Sequence, residues 1–249
     1  MAFFRSNGID IYYEVIGSGE PLLLLHGLFS SSLWFHENGY VDRLSSEYKL
    51  ILIDLRGHGN SGKPHDSSYY HINDFTDDIA NILAYEEVST FHIIGFSLGG
   101  RIGYNLAYRE RDRIRSLTIL SSDPYSANFS SLKEYVESIP DSIINSTPRI
   151  EFSIKMIALF QAIDKDAILA IIPNANWPDI STKLSSFSFP VLIIYGGEES
   201  LEYRNAIQRS AKLIKNCKIV EVPNLVHRQI MSETNLVFPY ISNFHESLK

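Results

Sequence analysis

The string Gly95-Phe96-Ser97-Leu98-Gly99 is the densest chemical signal in the chain. It follows the apolar run Phe91–Phe96 and opens the amphipathic stretch Leu98–Tyr108, so the serine sits where a strand turns sharply into a helix. Glycine is needed on both flanks because a side chain there would strike neighbouring backbone, and the strained turn thrusts the hydroxyl outward as a nucleophile. The backbone N–H of Leu98 points to the same spot, at a helix N-terminus that favours negative charge. This pairing suits attack on a carbonyl whose oxygen becomes an oxyanion. Serine alone is a poor nucleophile and needs a base within hydrogen-bond reach. Histidines stand at 26, 36, 58, 65, 71, 92, 227 and 245, and only His227 lies just beyond the last strand-like run, in Val222-Pro223-Asn224-Leu225-Val226-His227.

These residues require a scaffold, and the hydropathy pattern contains one. Ile9–Ile16 alternates and is preceded by Asn7-Gly8, a tight-turn pair that predicts an N-terminal hairpin. Pro21–Leu25, Lys49–Leu55, Phe91–Phe96, Ser116–Leu120, Pro190–Tyr195 and Lys218–Val222 are further strand candidates, mostly apolar throughout as strands covered on both faces must be. Helical patterns intervene at Asp74–Tyr85, Leu98–Tyr108 and Leu201–Lys215. The last places Ile207, Ala211 and Ile214 on one face, and Gly99, Gly103 and Ala107 give the second a small face that could press on a sheet. The alternation predicts an α/β protein with a mostly parallel, doubly wound sheet. The rhythm breaks once, over 123–189, which is longer than a crossover needs and carries prolines at 124, 140, 148, 173 and 178. Helical segments Leu132–Ile139 and Ile150–Ile163 lie there, so this stretch reads as a helical cap inserted into a core of 1–122 and 190–249.

Two more motifs stand at strand ends. His26-Gly27-Leu28 closes the second apolar run, and Asp54-Leu55-Arg56-Gly57-His58-Gly59-Asn60-Ser61 closes the third, with Lys63-Pro64 following. Together with the Gly95–Gly99 turn they make the chain resemble the α/β-hydrolase superfamily, in its branch with HG, D-x-R-G-x-G-x-S and G-x-S-x-G motifs. The resemblance implies that Ser97 is the nucleophile and His227 its base. It places the second oxyanion donor on the residue after His-Gly, Leu28, with Phe29 as a substitute. The acid of such a triad usually ends a Gly-x-x-Asp turn after the strand equivalent to Pro190–Tyr195. This chain reads Gly196-Gly197-Glu198-Glu199 there, which puts Glu199, one methylene longer, at that position; Glu198 would serve through a one-residue shift. Asp123, after Ser116–Leu120, is the rival, since some relatives supply the acid from there; otherwise it is a turn aspartate before proline. Asp54, Arg56 and His58 read as a structural turn, and Trp34, seven residues beyond Gly27, as packing that could also reach the site from the core side.

The expected chemistry is hydrolysis of an ester or similarly activated acyl compound through an acyl-enzyme. The same constellation can serve C–C bond hydrolysis, or elimination as in the menaquinone-pathway synthase of this branch, for which Arg101 or Arg149 would face an anionic substrate. A non-catalytic small-ligand receptor is a third use of the fold. With 22 Lys+Arg against 29 Asp+Glu and no basic cluster, the chain lacks the counter-charge that nucleic acid demands. The single cysteine, Cys217, excludes an internal disulfide framework and a Cys-based zinc cluster. No paired metal-ligand spacing and no phosphate-cradling glycine loop occurs, so neither metal nor cofactor is expected. No run approaches 18 apolar residues and residues 1–10 hold no long apolar segment, so a cytoplasmic enzyme acting on a small molecule is expected, its oligomeric state open.

Overall fold

The computed structural model describes residues 1–125, 130–138, 164–174 and 177–249. Among the described residues eight strands form a single sheet: β1 (Ala2–Ser6), β2 (Ile9–Ile16), β3 (Glu20–Leu25), β4 (Tyr48–Ile53), β5 (Phe91–Phe96), β6 (Ile114–Leu120), β7 (Val191–Gly196) and β8 (Cys217–Val222). Their order is β1-β2-β4-β3-β5-β6-β7-β8. β1 and β2 form the antiparallel hairpin that Asn7-Gly8 predicts, with both turn residues at positive φ (47° and 82°), and β2 runs antiparallel to β4. Every other pairing is parallel.

The apolar strands divide their side chains between two faces, because successive residues point to opposite sides. Leu23, Leu25, Ile51, Ile93, Ile119 and Ile193 pack on one side with α3 (Ile72–Tyr85), α4 (Leu98–Arg109) and α7 (Leu201–Leu213). Leu22, Leu24, Leu50, Ile94, Leu192 and Ile194 pack on the other with α1 (Leu33–Glu37), α2 (Tyr40–Leu44), α8 (Gln229–Ser232) and α9 (Thr234–Glu246). Ile207, Ala211 and Ile214 are buried against the first face, as the sequence implies. The sequence reading leaves α1, α2, α8 and α9 unassigned.

Between β6 and β7 lie α5 (Ser130–Ser138) and α6 (Lys165–Asn174), which pack on each other, and a 3-10 segment, Ser181–Ser186, which packs on α4 and α7. The expected helix Ile150–Ile163 lies outside the described residues. Among the described residues no helix is long and apolar enough to cross a membrane. The candidate residues all fall at the carboxyl ends of adjacent strands, where open α/β sheets bind ligands: His26 after β3, Asp54 after β4, Ser97 after β5, Asp123 after β6, Glu199 after β7 and His227 after β8.

Candidate active site

Ser97 takes φ 51° and ψ −112°, a left-handed strained backbone that a serine adopts only when its surroundings hold it there. Its N–H donates to Leu120 O (2.9 Å), and its carbonyl accepts from Arg101 N (3.0 Å) and the Ser122 hydroxyl (2.7 Å). The flanking glycines are sterically required. A β-carbon on Gly95 would stand 2.5 Å from Gly99 O, and one on Gly99 would stand 2.2 Å from Leu25 O. Gly103 differs, because its β-carbon would meet Ile93 at an ordinary 3.5 Å. The close approach of helix to sheet is therefore confined to the first turn of α4.

His227 reaches this serine across 130 positions of chain, with Nε2 2.9 Å from Ser97 Oγ. The imidazole is held between two rings, Phe96 at 5.2 Å and Tyr203 edge-on at 5.6 Å. Its Nδ1 lies 3.5 Å from Oε1 of Glu199, whose side chain is 2% exposed. With the Nδ1 proton turned toward Glu199, Nε2 is free to accept the serine proton. The loops that carry Glu199 and His227 are joined by backbone: Gly197 N–H donates to Val222 O (2.9 Å) and Glu198 N–H to Leu225 O (3.0 Å). Gly196 admits this contact, since a β-carbon there would fall 2.1 Å from Leu225 O.

Asp123 is engaged elsewhere. Its carboxylate accepts from Tyr125 N (2.9 Å) and faces Arg101 Nη2 at 3.4 Å. Burial pushes its carboxyl above the usual range, with Arg101 pulling the other way. Glu198 lines the cavity and anchors its loop through its N–H. The geometry thus brings Glu199 to the histidine and ties Asp123 to the arginine.

Leu28, Phe29 and Leu98, the candidate oxyanion donors, line the same cavity as Ser97. The loop after β3 is pressed onto the serine turn, for a β-carbon on Gly27 would lie 2.9 Å from the Phe96 ring and 3.3 Å from Ser97 Cβ. His26 locks this loop to the next strand end, accepting from Leu55 N–H at Nε2 (3.0 Å). Asp54 accepts from Ser32 N (2.7 Å) and Asn60 N (2.8 Å), and Arg56 forks onto Asp78 with two 2.7 Å bonds. His58 is fully enclosed, and burial pushes its imidazole down to about 3. These residues form the structural turn that their sequence suggests.

The cavity above Ser97 measures about 650 Å³. Leu132 of α5, Ile171 and Ile172 of α6, and Trp177 contribute apolar wall from the segment between β6 and β7. Trp34 also lines it from the core side, beside Phe96 (5.9 Å) and under the Arg228 guanidinium (5.0 Å). Arg101 lines it as well, whereas Arg149 lies outside the described residues. Sequence reasoning missed Ser121, whose hydroxyl donates to Glu199 Oε1 at 2.5 Å, and Tyr203, whose hydroxyl donates to Ser121 O at 2.9 Å. Only the position of Ser121 at a strand's carboxyl end could have flagged it. Among the described residues, His65, Asp164 and Asp166 bring possible ligand atoms within 4.8 Å of one another. Asp164 there caps α6 by accepting from Ala167 N (2.9 Å), and its other oxygen lies 3.1 Å from His65 Nε2.

Comparison with known proteins agrees with this architecture. A family model described as alpha/beta hydrolase fold matches residues 20–143. A 2-(acetamidomethylene)succinate hydrolase of Mesorhizobium japonicum is 26% identical over 92% of this chain and 88% of its own. A pimeloyl-[acyl-carrier protein] methyl ester esterase of Nitrosomonas europaea is 24% identical over 90% of this chain and 94% of its own. Among solved structures, the enol-lactonase of Burkholderia xenovorans superposes with a TM-score of 0.82 over 98% of this chain and all of its own, at 17% identity.

Proposed function

We propose that this chain, whose residues 20–143 match a family model described as alpha/beta hydrolase fold, is a serine hydrolase of small ester or similarly activated acyl substrates. The single observation that carries the reading is the 2.9 Å approach of His227 Nε2 to Ser97 Oγ, with Glu199 behind the ring. In this scheme His227 takes the serine proton as Oγ attacks the acyl carbon. The N–H groups of Leu98 and Leu28 receive the oxyanion, worth roughly 10²–10³ in rate for one such donor. His227 then returns the proton to the leaving group and activates a water against the acyl-enzyme. Glu199 keeps the imidazole in the reactive tautomer and offsets its charge.

A mostly apolar cavity of about 650 Å³ fits an acyl or alkyl chain better than a strongly charged substrate. Residues 123–189 serve in this reading as a cap, of which α5, α6 and Trp177 supply the cavity wall. The esterase and hydrolase relatives support the same reaction class, and the acidic composition with one cysteine supports a cytoplasmic setting. The test is fluorophosphonate labelling together with hydrolysis of short p-nitrophenyl esters. Ser97→Ala should abolish both, and labelling that persists in the variant would reject Ser97 as the nucleophile.

A further inference from the structure

We propose that Ser121 is a positioning residue for the catalytic acid, clamping Glu199 where it can orient His227; the inference rests on the Ser97–His227–Glu199 reading above. Ser121 directly follows β6 and is wholly buried. Its backbone is held by two hydrogen bonds in a left-handed conformation. The N–H donates to Ile194 O (2.8 Å), continuing the ladder to β7, the carbonyl accepts from the Tyr203 hydroxyl (2.9 Å), and φ is 45°. A serine kept in the left-handed region by its surroundings marks a place where the aim of the side chain matters.

That side chain donates to Glu199 Oε1 at 2.5 Å, within the range of a charge-assisted O–H···O⁻ bond. The other donors facing Oε1, Gly196 N and His227 Nδ1, both stand at 3.5 Å, and Oε2 has no hydrogen-bond partner among the described residues. Ser121 is therefore the shortest hold on a buried carboxylate. A glutamate needs that hold more than an aspartate would, because its additional rotatable bond must be fixed before the carboxylate can serve as a preorganised acceptor. The neighbouring Ser122 does the matching service for the nucleophile by donating to Ser97 O. One dipeptide at the end of β6 thus braces the acid with one hydroxyl and the nucleophile's turn with the other.

The test compares Ser121→Ala and Ser121→Gly with the parent in second-order fluorophosphonate labelling across pH 5–9, and in kcat and KM for p-nitrophenyl butyrate. Glycine accepts positive φ without strain, so the second variant keeps the backbone even where the first is destabilised. The titratable and charged groups around Glu199 are His227 and the Tyr203 phenol, which burial holds neutral, with the Arg101–Asp123 pair beyond Tyr203. Both variants should label and turn over on the order of ten- to a hundredfold more slowly, the worth of one hydrogen bond to a charged group, with KM little changed. A carboxylate relieved of a donor holds a neighbouring imidazolium proton more tightly, so the acid limb should move to higher pH by roughly half a unit or more. Parent-like rates in both variants, or slow rates with an unmoved acid limb, would overturn the assignment. Glu199→Gln in the same assay separates the two readings. A parent-like rate there would overturn the triad itself, whereas a slow Glu199→Gln beside fast Ser121 variants would overturn only the role of Ser121.

Discussion

Two glycines one turn apart on α4 should respond to the same substitution in opposite directions. Gly103→Ala places a methyl group at 3.5–3.7 Å from Ile93, Leu117 and Ile119, ordinary contact distances in a buried apolar corner. It also removes a helix-interior glycine, which is about 1 kcal/mol less favourable than alanine. For a chain of this size that gain raises the melting temperature by about 2–4 °C. Gly99→Ala places the same methyl 2.2 Å from Leu25 O and 2.5 Å from His26 O, so the helix or the end of β3 must retreat by about 1 Å. Overpacking of this kind costs roughly 1–3 kcal/mol. The end of β3 leads into Gly27 and Leu28, so its retreat should also shift the proposed oxyanion donor, and a displacement of about 1 Å can cost a factor of about 10² in rate. Circular dichroism melts and fluorophosphonate labelling rates of both variants check this. The reasoning is refuted by a Gly103→Ala melt that falls as far as that of Gly99→Ala, or by a Gly99→Ala enzyme that labels at the parent rate.

Replacing the two rival acids should separate chemistry from stability. Glu199→Gln is expected to slow labelling by roughly 10³–10⁴-fold, as loss of the acid does in triads generally. Asp123→Asn should leave labelling within a few-fold while lowering stability by about 1–3 kcal/mol, because it removes the carboxylate beside buried Arg101. Labelling rates and urea midpoints measured on the same preparations decide between the two. Acidification should destabilise the fold through its enclosed imidazoles. Burial pushes His58 down to about 3 and His245 down to about 4, and lowers His26 and His92 as well, so the unfolded chain binds more protons once pH drops below about 6.5. His58 and His245 should each withdraw about 1.4 kcal/mol per pH unit between there and their folded values. Urea midpoints at pH 7, 6 and 5 should fall in that order, and a flat series would contradict the burial argument.

The strands were legible because each is a short apolar run ended by turn residues, and the register of Ile93 against Leu23 follows once the runs are aligned. Ser97 was legible for a related reason, since its steric demands are met within five residues. The hidden elements lack such local signatures. α9 carries Pro239 inside it and a mixed surface, and α1 is only five residues long, so neither shows a sustained helical period. Glu199 could be placed only by its rank in a turn after β7, and its choice over Asp123 depends on which carboxylate a distant imidazole meets. Ser121 and Tyr203 were illegible because their partners lie 78 and 82 positions away and their residue types are common on any surface. Along the small face of α4, spacing alone cannot tell Gly99, which meets carbonyls of β3, from Gly103, which meets methyl groups of β5 and β6.

The backbone bonds between the loops after β7 and β8 have a mechanical consequence. Glu199 and His227 ride on one corner of the protein whose loops are bonded to each other, at the outer edge of the sheet, while Ser97 stands nearer its centre. A disturbance of that edge displaces His227 and Glu199 together and leaves their mutual spacing intact. In the proposed reaction, the gap between Ser97 and His227 is therefore the spacing that a change at the sheet's edge should alter, and lost rate is where it should be felt.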